Sequence, residues 1–482
     1  MKTTKVILNG MGAMLVASTS CAGTKNTQPN IVYILADDLG YGDVGCYGQK
    51  YIQTPNIDKL AADGMLFTQH YAGCTVSAPS RSSLMTGLHT GHTYIRGNKE
   101  AQPEGQEPLP ENTFTVAKML KQAGYVTGAF GKWGLGSPGS SGDPNKQGFD
   151  EFYGYNCQRL AHNYYPYHLW HNQTKVVLEG NAGTKKEQYA QDLIHQQAMQ
   201  FLRKNKDKTF FMFLPYVLPH AELTSPEDSI LGLYKNKMEE KKPYKGVDSP
   251  EGEGYKDGSY GSSANPHADF AAMITRLDAY VGDVVKELKR LGLDKNTLVI
   301  FTSDNGPHRE GGADPDFFKS YGPLRGVKRD MFEGGIRVPM IASWPGKIKA
   351  GVTTDHISAF WDILPTFKEL AGIKTQVETD GISMVPTLFS QKNQKEHPYM
   401  YWEFHEGGGK IAVRKGNWKG IKLNYGKEPD APMLLFDLSK DTHEDNNVAA
   451  EHPEVVAELE KIMKSARTES KIFNFGSPTI IK

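Results

Sequence analysis

Two acids stand side by side at the end of an apolar run, Asp37 and Asp38 in NIVYILADD, and a second run, TLVIFTSDNG, ends on Asp304 and Asn305. Adjacent carboxylates repel each other unless a cation or a set of donors holds them. Three carboxylates and one amide oxygen make a hard, oxygen-only donor set. That set suits calcium or magnesium, and calcium best, because calcium tolerates irregular and higher coordination. No histidine and cysteine pattern suited to zinc accompanies it. Between the two runs lies CTVSAPSRSSLMTG, residues 74–87, where Ser77 precedes Pro79 by two and Arg81 by four. Proline needs no N–H donor in a first helical turn, so the segment reads as a helix that starts at Ser77. Its positive end and free N–H groups would then face an anion.

These residues need a scaffold that brings strand ends together. Strand patterns occur at NIVYILADD, YVTGAFG, TFFMFLPYV and TLVIFTSDNG, alternating with helical patterns at NIDKLAADG, ENTFTVAKMLKQAG, DLIHQQAMQFLRKN and HADFAAMITRLDAYVGDVVKELKRLG. Alternating helices and buried strands predict an α/β fold with a largely parallel sheet flanked by helices. In such sheets chemistry gathers at the carboxyl ends of the strands. Asp37, Asp38, Lys132, His220, Asp304 and Asn305 all stand there. A polar stretch from His220 to about Asn265 reads as a surface insertion covering the site. Beyond about residue 390, YMYWEFHEG, KIAVRKGNWKGIKL and MLLFDLSKD predict an antiparallel sheet, and PEVVAELEKIMKSA a terminal helix. The expected division is an export signal over 1–22, a catalytic α/β domain over 28–389 and a smaller C-terminal subdomain over 390–482.

Composition narrows the function. Lys+Arg 55 balance Asp+Glu 55, so the basic excess of a nucleic-acid binder is missing. Lys2 and Lys5 precede a short apolar run and then small residues, the pattern of an export signal, which points to the periplasm or cell surface. The run ends at Cys21, which lipidation could turn into a membrane anchor; plain cleavage after Ala22 is the alternative. Cys46, Cys74 and Cys157 are too few and too odd in number for a disulfide framework, and read as buried small hydrophobes.

SAPSRSSLMTG resembles the signature of type I sulfatases, in which Cys or Ser is followed by X-Pro-Ser-Arg, four residues, then Thr-Gly or Leu-Gly. GYVTGAFGKWGLG, SDNG, RGVKRDMFEGGIRVP and DGISMVPTL resemble further blocks of that family, in the expected order. The resemblance covers nearly all of the chain after residue 28 and implies an alkaline-phosphatase-like fold. It implies that a serine-type radical maturase oxidises Ser77 to Cα-formylglycine. A plain serine attacking sulfur would be left as a stable sulfate ester. A hydrated aldehyde carries a second hydroxyl, whose deprotonation expels sulfate. By the same resemblance Asp37, Asp38, Asp304, Asn305 and the Ser77 product hold one calcium ion. Arg81 fixes the hydrated aldehyde, Lys132 and Lys328 hold sulfate oxygens, and His220 protonates the leaving alcohol. One position departs from the family. Gly134 stands where many members have the histidine proposed as the base for release, and His162 is the candidate replacement.

The resemblance points to an exported bacterial enzyme that strips sulfate from glycans, acting at a chain end on galactose or N-acetylgalactosamine. Arg159, Asn163, His308, Glu310, Glu403 and His405 are the candidate sugar contacts, because they stand in segments rich in polar and aromatic residues. The alternatives are a phosphodiesterase or phosphonate monoester hydrolase of the same superfamily, and a glycan-binding lipoprotein without catalysis.

Overall fold

The strand Asn30–Ala36 sits at the centre of the fold because its two faces are equally apolar. Val32, Ile34 and Ala36 join one buried cluster, and Ile31, Tyr33 and Leu35 join another. A strand buried on both faces belongs inside a parallel sheet covered by helices on each side. The computed structural model describes Met1 and residues 28–101, 104–240, 242–247, 260–475 and 480–481. The expected export signal, with Cys21 and Ala22, lies outside the described residues, as does part of the insertion expected before Asn265.

Five strands run parallel at the centre of the sheet, in the order Thr297–Ser303, Asn30–Ala36, Phe210–Pro215, Val126–Lys132 and Glu151–Tyr155. Register sets where the chemistry goes. Ala36 is level with Ser303 and Leu35 with Pro215, so the chain leaves neighbouring strands at one edge as Asp37-Asp38 and Asp304-Asn305. Arg337–Ser343 and Met65–Tyr71 extend the sheet on one side in antiparallel fashion, and His168–His171 with Thr174–Val177 extend the other. These additions were not among the strands expected. One face is covered by the helices Pro55–Ala62, Ala190–Lys204 and Pro266–Arg290, the other by Ser77–Thr86, Val116–Gln122 and Ile363–Leu370.

The strands Met400–Phe404, Lys410–Lys415, Trp418–Leu423 and Leu434–Asp437 form the expected antiparallel sheet. Leu459 and Met463 of the helix Pro453–Ser465 pack on one side of it. Its other side shares a buried cluster with Tyr71, Cys74, Val76 and Trp361. The junction also holds charge. Lys419 Nζ lies 2.9 Å from carboxylate oxygens of both Glu333 and Glu444, and all three residues are fully buried. Burial opposes charge on Glu333, yet Lys419, Arg337 and Arg414 hold its carboxyl down at about 2, whereas burial pushes Glu444 up to about 7. Removing one partner of a buried ion cluster strands the others, at a cost of ~3–5 kcal/mol. We therefore expect Lys419→Met to lose that much stability in denaturant unfolding, and a loss below ~1 kcal/mol would contradict this view of the junction.

Candidate active site

Ser77 opens the helix Ser77–Thr86, as expected, and Gly87 ends it in the left-handed conformation that glycine adopts freely (φ +69°). The helix head differs from the expectation in one respect. The Ala78 N–H donates to Asn98 Oδ1 at 3.0 Å and Pro79 has no N–H, so the first turn offers an anion fewer donors than a bare helix end. Side-chain cations supply attraction instead. Ser77 Oγ is 3.1 Å from Asp37 Oδ1 and 3.3 Å from Lys132 Nζ, which in turn lies 2.6 Å from Asp37 Oδ2. Lys132 is placed by the last residue of its strand and is fully buried.

Arg81 is committed to protein groups. It donates from Nε and Nη2 to Asp304 Oδ2 (3.1 and 2.9 Å), from Nη2 to Asp37 Oδ2 (3.1 Å), and from Nη1 to the carbonyl of Lys132. In this arrangement it holds two carboxylates in place, which adds a positioning role to the one expected for it. Ser80 Oγ donates to the Asp304 carbonyl at 2.6 Å and ties the helix to the Asp304-Asn305 pair. Asp38 accepts from Asn305 Nδ2 at 2.7 Å and from Lys328 Nζ at 2.9 Å.

The electrostatics follow from burial. Burial raises the cost of charge on Asp37, but Lys132, His220 and Arg81 outweigh it and hold the carboxyl far below its usual range. Burial and the Asp37 charge push Asp304 up to about 6. Asn305 Oδ1 is buried without a protein partner beside these acids. Asp37, Asp38, Asp304 and Asn305 thus fit a hard cation: every donor is oxygen, all are fully buried, and one oxygen is left over.

His220 and Lys328 face the same acids. Lys328 Nζ is 3.3 Å from His220 Nε2, and His220 Nε2 is 3.5 Å from Asp38 Oδ2. His220 Nδ1 donates to the Ala221 carbonyl at 2.5 Å, so Nε2 is the atom turned to the site. Burial pushes the His220 imidazole well down, and Lys328 and Lys132 add to this. Despite burial, Asp38 and Glu310 keep Lys328 well above the usual lysine value. His162 stacks on His220 with ring centres 5.1 Å apart, and Tyr260 packs on His162 at 4.9 Å. The end of the polar insertion therefore does close on the site. Burial lowers His162 too, and its Nδ1 has no partner.

The sugar candidates divide. Glu310 bonds Lys328 Nζ at 2.9 Å and pairs with Arg329, so it orients a lysine of the site. His308 stacks near His220 at 5.9 Å, with Nε2 on the Pro219 carbonyl and Nδ1 accepting from the Glu310 N–H. Arg159 pairs with Glu100 at 3.0 Å, and Asn163 Oδ1 turns back to the Tyr165 N–H. Glu403 and His405 are not brought to the nucleophile. They form a separate buried cluster with Arg96, Tyr401 and Arg467, and among the described residues no contact joins it to Ser77. Two residues that sequence reasoning missed stand over Gly134. A β-carbon there would lie 2.6 Å from Gln158 Nε2 and 3.8 Å from Gln106 Oε1. The only cue in the sequence was Gly134 itself.

The largely parallel sheet flanked by helices, with Asp37, Asp38 and Asp304 at its strand ends and a hydroxyl at a helix head, has an alkaline-phosphatase-like fold. The chain matches the sulfatase family over residues 29–373, and the C-terminal region of N-sulphoglucosamine sulphohydrolase over residues 327–469. It is 29% identical over 529 residues to an N-acetylgalactosamine-6-O-sulfatase of Bacteroides thetaiotaomicron, covering 92% of this chain and 94% of the relative. With arylsulfatase A of Homo sapiens it shares 32% identity over 507 residues, covering 94% and 90%. The crystal structure of Ps i-CgsB in complex with k-i-k-neocarrahexaose matches at a TM-score of 0.74 and 30% identity, covering 91% of this chain and 93% of that one. The chain belongs to the sulfatase family and is a sulfuric ester hydrolase.

Proposed function

We propose that this sulfatase removes sulfate from a terminal galactose or N-acetylgalactosamine of a glycan, using a formylglycine made from Ser77 and one calcium ion. The observation that carries the reading is Ser77 Oγ held between Asp37 Oδ1 at 3.1 Å and Lys132 Nζ at 3.3 Å at the head of its helix. The similarity to an N-acetylgalactosamine-6-O-sulfatase supports the choice of sugar. The remaining parts of the reading are maturation by a serine-type radical maturase and export to the periplasm or cell surface, with either lipidation at Cys21 or plain cleavage after Ala22.

When formed, the hydrated aldehyde supplies one hydroxyl to attack sulfur and a second whose deprotonation releases sulfate. Asp37, Asp38, Asp304, Asn305 and the residue-77 product would hold calcium, which would supply Lewis-acid stabilisation of charge when bound. The chain's own residues do the rest. Lys132 and Lys328 bind sulfate oxygens and stabilise charge that builds up in the transition state. Arg81 keeps Asp37 and Asp304 in register, and Glu310 aims Lys328. His220 presents Nε2 to the leaving oxygen; because its Nδ1–H is given to the Ala221 carbonyl, Nε2 must first take up a proton, and the Lys328 ammonium 3.3 Å away is the donor that can supply it. His162, kept neutral by burial, is the base we assign to release.

The cation is open to a direct test. Protein stripped by a strong chelator should lose activity and melt at a lower temperature, and calcium should restore both. A ligand present at 100 times its Kd stabilises by ~2.7 kcal/mol, enough to read as a clear rise in Tm. Asp304→Ala should show no calcium response. Rescue by zinc alone would contradict the oxygen-only site.

A further inference from the structure

The space over Gly134 contains an imbalance of hydrogen bonding. Gly134 has φ +77°, a conformation that suits glycine, and the Gln158 side chain occupies the volume a residue with a β-carbon would claim. Gln158 Nε2 and Gln106 Nε2 are buried, and neither has an acceptor. The Gln106 side chain is held by the Gln158 backbone. Gln106 Oε1 accepts the Gln158 N–H at 3.2 Å, and the segment carrying Gln158 runs beside the end of the Lys132 strand. There, Trp133 N–H donates to the Tyr155 carbonyl at 2.8 Å and Gly134 N–H to the Asn156 carbonyl at 3.0 Å. Gly134 is two residues from Lys132, whose Nζ is 3.3 Å from Ser77 Oγ.

Buried amide donors without acceptors are costly, and proteins keep them where a ligand or water completes them. We propose that Gln106 and Gln158 form a donor pair over Gly134, beside the end of the Lys132 strand, that binds an uncharged oxygen, a hydroxyl or acetamido carbonyl, of the sugar bearing the sulfate. The inference rests on the sulfatase reading above and adds its sugar-selecting residues. The neighbourhood explains why the oxygen is uncharged. Glu100 pairs across the strand with Gln106, and Arg159, next to Gln158, is already engaged by Glu100 at 3.0 Å. Glu104 accepts from His168 and Trp170, each at 2.8 Å. Arg159 is charge-paired with Glu100 although its Nε has no partner among the described residues, and the carboxylates of Glu100 and Glu104 oppose an anion there.

The test uses matured full-length enzyme with para-nitrophenyl sulfate and the 6-sulfates of galactose and N-acetylgalactosamine. Gln158→Met keeps the volume and removes the donor. The ratio of kcat/KM on the saccharide to that on the aryl sulfate should fall about tenfold or more, mainly through KM. Gln106→Glu keeps the acceptor for the Gln158 N–H, replaces the donor, and should shift the ratio the same way. The Tm of Gln158→Met should not fall, because no protein hydrogen bond from Nε2 is lost. An unchanged ratio, or equal losses on both substrates with a lowered Tm, overturns the pocket and makes Gln158 structural. A wild-type enzyme that cleaves the aryl sulfate but neither saccharide also overturns it while leaving the sulfatase reading intact. Failure on all three substrates removes both.

Discussion

Ser77→Ala should lower kcat at least ~10⁴-fold on every sulfate ester, in line with the loss seen when a covalent nucleophile is deleted. The expectation comes from the position of Ser77 Oγ between Asp37 and Lys132. Alanine leaves the cations in place, so sulfate and substrate should still bind and the Tm should change little. Wild-type protein produced without a serine-type maturase should be nearly as inactive, because an unmodified serine has no second hydroxyl to expel sulfate. Ser77→Cys made with a cysteine-type maturase should regain activity. Multiple-turnover kinetics on the three preparations check this. An alanine variant that retains a tenth of the wild-type kcat would show that attack comes from another residue.

The second large effect should depend on the leaving group. His220→Ala is expected to slow hydrolysis of a sugar sulfate by ~10²–10⁴-fold, the usual worth of general acid catalysis. An aryl sulfate should suffer far less, since its phenolate departs without a proton. The geometry motivates the choice of atom: Nδ1 is fixed on the Ala221 carbonyl at 2.5 Å, and Nε2 meets Lys328 Nζ at 3.3 Å. Lys328→Met should slow both substrates, because Lys328 also binds sulfate. The discriminating quantity is thus the ratio of rates between leaving groups. If His220→Ala reduces sugar and aryl sulfates alike, the imidazole acts on the sulfate or the nucleophile, and the leaving alcohol finds its proton elsewhere.

Much of this site was legible because its residues sit in local patterns. Apolar runs that end in Asp-Asp and Asp-Asn placed Asp37, Asp38, Asp304 and Asn305 at strand ends, and parallel register then makes those ends adjacent. Ser77 and Arg81 share one helix, so their spacing fixes their relation. Met65–Tyr71 and Arg337–Ser343 were not legible as strands. The first mixes Thr, Gln and His with apolar residues, and the second follows directly on a short helical turn at Glu333–Ile336. Their antiparallel pairing depends on partners distant in sequence. Glu403 and His405 looked like sugar contacts because they stand among aromatics, yet pairing with Arg96 and Arg467 takes Glu403 into the interior. Gln106 and Gln158 carry no pattern at all. Amides far apart in sequence become a pair only through the fold, and Gly134 makes the room they meet in.

The most direct test of the central claim is the mass of the peptide carrying Ser77, taken from enzyme whose sulfate release is measured in the same preparation. Active enzyme should contain a Ser77 peptide lighter by two hydrogens, as oxidation to the aldehyde requires. Sulfate release should scale with the converted fraction across preparations made with and without the maturase, and should exceed hydrolysis of an aryl phosphodiester by the same sample. Full sulfate release from a preparation in which every Ser77 peptide retains the serine mass would contradict the account.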